Sequence, residues 1–202
     1  MVTEAFIKVF SLTFFFLYLL IAFAWPTVRT YKSTGVNPVT FGTSDTAHDF
    51  IGRWFKILIG LTLISIITSW FPDGAYQYLS PFTYLLIPVL HLVGVVLGVL
   101  SLVWISIAQF QMGNSWRIGL DHQNKTQLIR HGLFGISRNP VFLGMLVSLL
   151  GFFLLLPNAL TLLVLVCGYV LIQIQIRLEE DFLVKQHADE YIAYCKKVKR
   201  LI

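Results

Sequence analysis

Phe6 to Trp25 is twenty residues of almost continuous apolar sequence, interrupted only by Lys8. A helix of about 20 such residues crosses the roughly 30 Å of a bilayer's hydrocarbon core. Four more runs follow, Trp54–Phe71, Tyr84–Phe110, Val141–Leu156 and Ala159–Ile176. With 56% hydrophobic and 12% charged residues over 202 positions, the chain carries far more apolar material than one soluble core of its size would use. The expected fold is an all-α integral membrane protein, one membrane domain over 1–202, with five transmembrane helices and a cytoplasmic amphipathic C-terminal helix. Ala22-Phe23-Ala24 resembles a signal cleavage site, but Glu4 offsets Lys8 and Pro26 follows closely, so the first run is read as a retained span.

The connections carry their own signals. Pro26 to Arg53 contains Gly35, Pro38, Gly42 and several Ser and Thr, and reads as a loop with a short interfacial helix at Ala47–Arg53. Lys56 can snorkel from the second span to the nearer interface. Pro72-Asp73-Gly74 is a turn, and Tyr76, Tyr78 and Tyr84 make an aromatic belt. The third span is expected to kink at Pro88, and Gly94 and Gly98 offer a neighbouring helix a close approach. His91, inside that span, is assigned a hydrogen-bonded structural role. Only Pro157-Asn158 joins the last two spans, which implies a tight hairpin with Gly144, Ser148 and Gly151 lining one side. Beyond Ile176 the pattern turns amphipathic: Arg177, Glu180, Val184, Ala188, Tyr191, Cys195 and Val198 fall on one helical face, and the lysines 185, 196, 197 and 199 lie off it.

Thirteen of the fifteen Lys and Arg residues lie in Pro26–Arg53, Gln111–Asn139 and the tail from Arg177, and the turns at Pro72–Pro81 and Pro157-Asn158 have none. The positive-inside rule then places the N-terminus outside and the C-terminus in the cytoplasm. The net charge of +5 points to membrane lipids with anionic headgroups rather than to nucleic acid. Cys167 and Cys195 have neither a pairing logic nor metal-ligand spacing.

The chemistry is concentrated in Arg130 to Gly144, where a polar connection feeds back into an apolar helix. Gly132 and Gly135 permit close backbone approach to a ligand, Arg138 and Arg177 suit a carboxylate, and Glu179 or Glu180 suits a cationic group, so a zwitterionic ligand fits. Plainer roles compete: Asn139 as an N-cap, Pro140 as the first helical residue, and the charges as interfacial salt bridges. No Rossmann turn, Walker motif or Ser-His-Asp arrangement can be picked out.

Arg-His-Gly-Leu-Phe-Gly-Ile-Ser-Arg-Asn-Pro-Val-Phe-Leu-Gly, preceded by Met-Gly-Asn-Ser-Trp-Arg and followed by Arg177-Leu178-Glu179-Glu180 and Asp189-Glu190-Tyr191-Ile192-Ala193-Tyr194, resembles the isoprenylcysteine carboxyl methyltransferase family of membrane enzymes. The resemblance covers roughly Gln109 to Arg200, and related phospholipid methyltransferases share much of it. It implies that S-adenosyl-L-methionine binds within residues 111–202, at the cytoplasmic ends of the last two spans, while 1–110 supply the first three spans. It assigns His131, Gly132, Leu133, Phe134, Ser137, Arg138, Asn139, Pro140, Glu179 and Glu180 to the cofactor, Arg177 and Glu180 to catalysis, and Trp116, Arg117 and Phe142 to the acceptor, with no metal. Asn139 stands where the family usually has His, and Phe142 where it often has Tyr.

The implied reaction is carboxyl methylation of an isoprenylcysteine-like acceptor that reaches the site from the membrane of a bacterium or of the endoplasmic reticulum. A carboxyl group with a pKa near roughly 3.5 is already ionised at neutral pH and needs no base. A phospholipid or lipid amine is the alternative acceptor; it must first lose a proton, and His131 is the histidine placed to take it. The third reading is a non-catalytic scaffold or transporter subunit, which would favour internal repeats or paired intramembrane charges that the sequence lacks.

Overall fold

A computed structural model describes residues 3–71, 74–121, 124 and 127–202. The first apolar run does not stop at Trp25. It continues as one helix from Glu4 to Thr34, made of α1 (Glu4–Leu19), a π-helical turn (Leu20–Ala24) and α2 (Trp25–Thr34). The loop expected from Pro26 onward is thereby corrected, for a local reason. Pro26 sits in the first turn of α2 and has no N–H to give to the carbonyl of Ala22, four residues back; Gln109 Nε2 donates to that carbonyl instead, at 2.6 Å. The π turn at Leu20–Ala24, a single wider turn inside an otherwise α-helical run, sits directly before this proline. The helix stops at Gly35, whose φ of 70° ends it in the left-handed conformation.

The short interfacial helix expected at Ala47–Arg53 is the first two turns of α3 (Ala47–Thr68), begun by Thr46, whose Oγ1 accepts from the Asp49 N–H at 3.2 Å. Of the Pro72-Asp73-Gly74 turn, Pro72 and Asp73 lie outside the described residues. Two 3₁₀ turns, Ala75–Leu79 and Thr83–Leu85, lead to α4 (Pro88–Met112). Pro88 starts this helix rather than kinking it, because at the first position a missing N–H costs no helical bond. The hairpin of α5 (Pro140–Leu155) and α6 (Ala159–His187) forms as expected. Asn158 and Thr161 make a reciprocal capping box, and Asn158 Nδ2 also donates to Ser65 Oγ at 2.8 Å and Tyr76 Oη at 3.1 Å, tying the hairpin to the end of α3.

Among the described residues four helices are long and apolar enough to cross a membrane: Glu4–Thr34, Ala47–Thr68, Pro88–Ser115 and Ala159–His187. The fifth apolar helix, α5, has 16 residues and is shorter than such a span. It packs along α4 through small residues. A Cβ on Gly94 would lie 2.9 Å from the Gly151 carbonyl oxygen, and the Ser101 and Ser148 hydroxyls are 2.7 Å apart. Phe14, Phe15, Ile66, Phe152 and Leu155 form the buried core where α1, α3 and α5 meet.

The tail is not the single amphipathic helix expected beyond Ile176. α6 runs on to His187, the backbone turns at Ala188 with φ 45°, and α7 (Asp189–Cys195) follows. The Ala188 N–H closes α6 on Val184 while its carbonyl starts α7 by accepting from Tyr191 and Ile192. The turn buries Tyr191 and also Tyr194, and leaves Arg177 and Val184, which share the expected face of Tyr191, exposed.

Candidate functional site

The start of α5 is held by a clamp that draws on three distant parts of the chain. Residues 198–200 run beside 137–139: the Arg138 N–H donates to the Lys199 carbonyl at 3.0 Å, and Asn139 Nδ2 donates to the Arg200 carbonyl at 3.0 Å. At the centre is the buried carboxylate of Glu180. Its Oε1 accepts from Arg138 Nε at 3.0 Å, Arg138 Nη2 at 2.9 Å and Asn139 Nδ2 at 3.2 Å. Its Oε2 accepts from Arg200 Nε at 2.8 Å and Nη2 at 2.6 Å. Arg138 Nη1 also donates to the carbonyls of Val198 and Cys195, at 2.6 and 3.2 Å. Burial opposes the charge on Arg138, but the hydrogen bond and negative charge of Glu180 outweigh it, so the guanidinium pKa is raised. Tyr194 adds a last tie, its hydroxyl donating to the Phe134 carbonyl at 2.6 Å, and burial pushes that hydroxyl up to about 12.

Two chambers lie beside this clamp. The larger, about 330 Å³, is apolar, with Phe15, Tyr18, Leu58, Phe142, Met145 and Phe152 in its wall, and polar groups including Gln109, Gln175 and Glu179 also border it. The smaller, about 110 Å³, is bounded by Leu128, Phe134, Phe182, Tyr191 and Tyr194, with Asp121 as an anionic wall. Arg117, Gly119 and Glu179 border both. Arg117 Nε donates to Asp121 Oδ2 at 2.8 Å, and Glu179 Oε1 accepts from Gln175 Nε2 at 3.1 Å.

This shared border is positioned from the N-terminal half. Ile118 pairs its backbone with Pro38 and Thr40 at 2.8 and 3.0 Å, and the Leu120 N–H donates to His48 Nε2 at 2.9 Å. Gly119 has φ 95°, and a Cβ there would run into His48 and Thr40. Only glycine lets the chain pass between them.

An apolar chamber that meets a smaller, aromatic-walled one at an arginine and a carboxyl group suits a reaction between a lipid and a polar co-substrate. The family model for phospholipid methyltransferases matches residues 89–190, which run from α4 into α7 and include Arg117, Gly119 and Glu179. The chain belongs to the phospholipid methyltransferase family. That family takes in the resemblance to isoprenylcysteine carboxyl methyltransferases, and it makes the chain a membrane lipid methyltransferase. Methyltransferases of this family generally use S-adenosylmethionine. No curated protein matches the chain.

For this phospholipid methyltransferase family member, the residues singled out in the sequence divide into groups. Ser137, Arg138, Asn139 and Glu180 meet in the clamp, where Asn139, at the N-cap position, makes no capping bond because its side chain turns to Glu180. Phe134, Arg138 and Glu179 border the smaller chamber, and Trp116, Phe142 and Glu179 the larger, while Arg117 borders both. Pro140 opens α5, its carbonyl accepting from Trp104 Nε1 at 2.9 Å. The Leu133 N–H donates to Gln111 Oε1 at 2.9 Å, and a Cβ on Gly132 would collide with the same Gln111 side chain. His131 is exposed and borders neither chamber. Arg177 is exposed too, its Nη1 donating to the Gln173 carbonyl at 2.6 Å, so the structure does not bring it to the chambers.

Arg200, Gly119, Asp121 and Gln175 take parts that the sequence reading did not assign them. Arg200 reaches Glu180 because of backbone pairing between 137–138 and 199, which leaves no side-chain pattern. Gly119 was the findable one, as a glycine two residues after Arg117 in a connection too long for a tight turn.

Proposed function

We propose that the protein transfers a methyl group from S-adenosyl-L-methionine to the carboxylate of a single-chain lipophilic acceptor, of the isoprenylcysteine type, at a site on the cytoplasmic face. The observation that carries this is the shared border of the chambers at Arg117, Gly119 and Glu179. At about 330 Å³ the apolar chamber is near the low end of the roughly 300–1,000 Å³ that hold drug-sized ligands, which favours one chain over a diacyl lipid.

The smaller chamber fits part of the cofactor. Its Phe134, Tyr191 and Tyr194 suit an adenine ring, and the carboxylate of Asp121 suits an ammonium group. When bound, the cofactor supplies a methyl group on a sulfonium, open to in-line displacement. With the Nη2 that its bonds to Asp121, Asn114 and Trp116 leave over, Arg117 holds the acceptor carboxylate at the border, and Phe142 near the start of α5 helps keep water from it. The Glu180 clamp fixes the start of α5 against the tail, so the chamber walls keep their places.

One observation favours a lipid amine as a second reading: Glu179 stands at the border and can accept a proton, a part that exposed His131 is not placed to play. The test supplies radiolabelled cofactor with a farnesyl-thioether carboxylic acid, a single-chain amine or phosphatidylethanolamine. Label on the acid that mild base releases as methanol is expected. Base-stable label on either amine would overturn the carboxylate assignment, and label on none of the three would overturn the choice of acceptor class.

A further inference from the structure

His48 lies in the first turn of α3, against the segment that divides the two chambers, and its imidazole has both ring nitrogens engaged. Nδ1 is 3.4 Å from Asp49 Oδ1, with the two side chains 13% and 7% exposed. Asp49 is held as a carboxylate by the Gly42 N–H at 2.6 Å, the Ser44 N–H at 3.0 Å and the Ser44 hydroxyl. A ring nitrogen beside that carboxylate carries the proton, which leaves Nε2 to accept from the Leu120 N–H at 2.9 Å. Both partners thus assign the same tautomer. Phe41 stacks on the ring with centroids 4.3 Å apart. Gly119, Leu120 and Asp121 line the smaller chamber, so a shift of this segment changes that chamber's wall.

Resting on the methyltransferase reading above, we infer that His48 is a positioning residue whose uncharged imidazole latches the border segment, so that mild acid releases the segment and weakens cofactor binding. A protonated ring carries N–H at both nitrogens and sets the second against the Leu120 N–H, donor against donor. Asp49 keeps Nδ1 and Phe41 covers one face of the ring, so the glycine-containing segment yields rather than the imidazole. Histidine is the side chain that changes charge between roughly pH 5 and 8. The charged groups on the elements packed here are Asp49 and Arg53 on α3, Asp45 in the segment 36–46, and Arg117 and Asp121 on the border. Arg53 donates to the Ser44 carbonyl at 3.3 Å, and Arg117 pairs with Asp121. Asp49 favours the imidazolium and the Leu120 N–H opposes it, so protonation keeps the first contact and loses the second.

The experiment uses the full chain in detergent micelles at pH 7.5 and 5.5, as wild type, His48→Gln and His48→Leu. Gln keeps an acceptor near the place of Nε2 and does not titrate; Leu has no acceptor. Amide hydrogen exchange over residues 116–121, corrected for the intrinsic effect of pH, reads the latch, and calorimetry with S-adenosylhomocysteine reads the chamber. Between pH 7.5 and 5.5, protection and affinity in wild type are each expected to fall at least about fivefold more than in His48→Gln, which comes within about threefold of wild type at pH 7.5. His48→Leu should exchange rapidly at both pH values. The same pH dependence in wild type and His48→Gln, or protection that falls while affinity holds, overturns the inference. Should wild type bind no S-adenosylhomocysteine at pH 7.5, the methyltransferase reading falls, and hydrogen exchange still decides whether His48 holds the segment.

Discussion

Glu180 is the residue whose surroundings say most about its role. It receives two arginines and an amide, so replacing it by Gln leaves Arg138 with no ionic partner in a pocket where its side chain is 10% exposed. Breaking a buried pair from one side costs about 3–5 kcal/mol, whereas exposed pairs contribute roughly 0–1 kcal/mol. Glu180→Gln and Arg138→Gln should therefore lower stability several-fold more than Arg200→Gln, whose side chain is 41% exposed. Chemical denaturation in micelles checks the order, and equal losses for all three would contradict the clamp. S-adenosylhomocysteine affinity should fall in Glu180→Gln and hold in Lys197→Gln, since Lys197 is exposed and Glu180 fixes the wall at Arg138. Tyr194 gives a pH signature. Its hydroxyl, raised to about 12 from 10, stabilises the fold fully below pH 10 and loses that contribution as pH rises toward 12. Melting curves of wild type and Tyr194→Phe should differ at neutral pH and converge above pH 12; a constant gap would show that the hydroxyl is not what matters.

At the scale of elements, proline and glycine were both informative and misleading. Pro157-Asn158 and Pro140 mark helix boundaries where the structure has them, because each falls where a free N–H is not needed. Pro26 was read as a terminator, yet the helix passes through it by way of a π turn and a hydrogen bond from Gln109, 83 positions later in the chain. No local pattern encodes that rescue. Gln109→Ala should cost about 1–3 kcal/mol by leaving the Ala22 carbonyl unpaired, and clearly less in a Pro26→Ala background that restores a local donor. Additive losses in the double mutant would separate the two residues. The tail is the counterpart: its three- and four-residue spacing is real, but the backbone turn at Ala188 divides the face, and a single alanine gives no warning of a φ of 45°. Gly119→Ala is expected to abolish methyl transfer while helix content by circular dichroism is retained, because it displaces only the border loop.

Across the whole molecule, the meeting of the Arg130–Gly144 stretch with the tail was legible, since charge and glycine concentrate where polar chain returns to an apolar helix. The border at Arg117 and Glu179 was legible only in pieces, as a substrate contact and a cofactor contact named separately. Their union depends on α4, α6 and the segment at Pro38–His48 converging, and the last of these lies outside the family match. The N-terminal helices are thus part of the site: they wall the apolar chamber and set the loop that divides it from the smaller one. The most direct measurement is radiolabelled methyl transfer to a native membrane lipid extract by Met145→Trp, which narrows the apolar chamber from α5 without touching the clamp. The expected result is a fall of roughly a hundredfold in label transferred, with S-adenosylhomocysteine affinity unchanged. Undiminished transfer with tryptophan in that chamber would contradict the claim that the acceptor reacts from it.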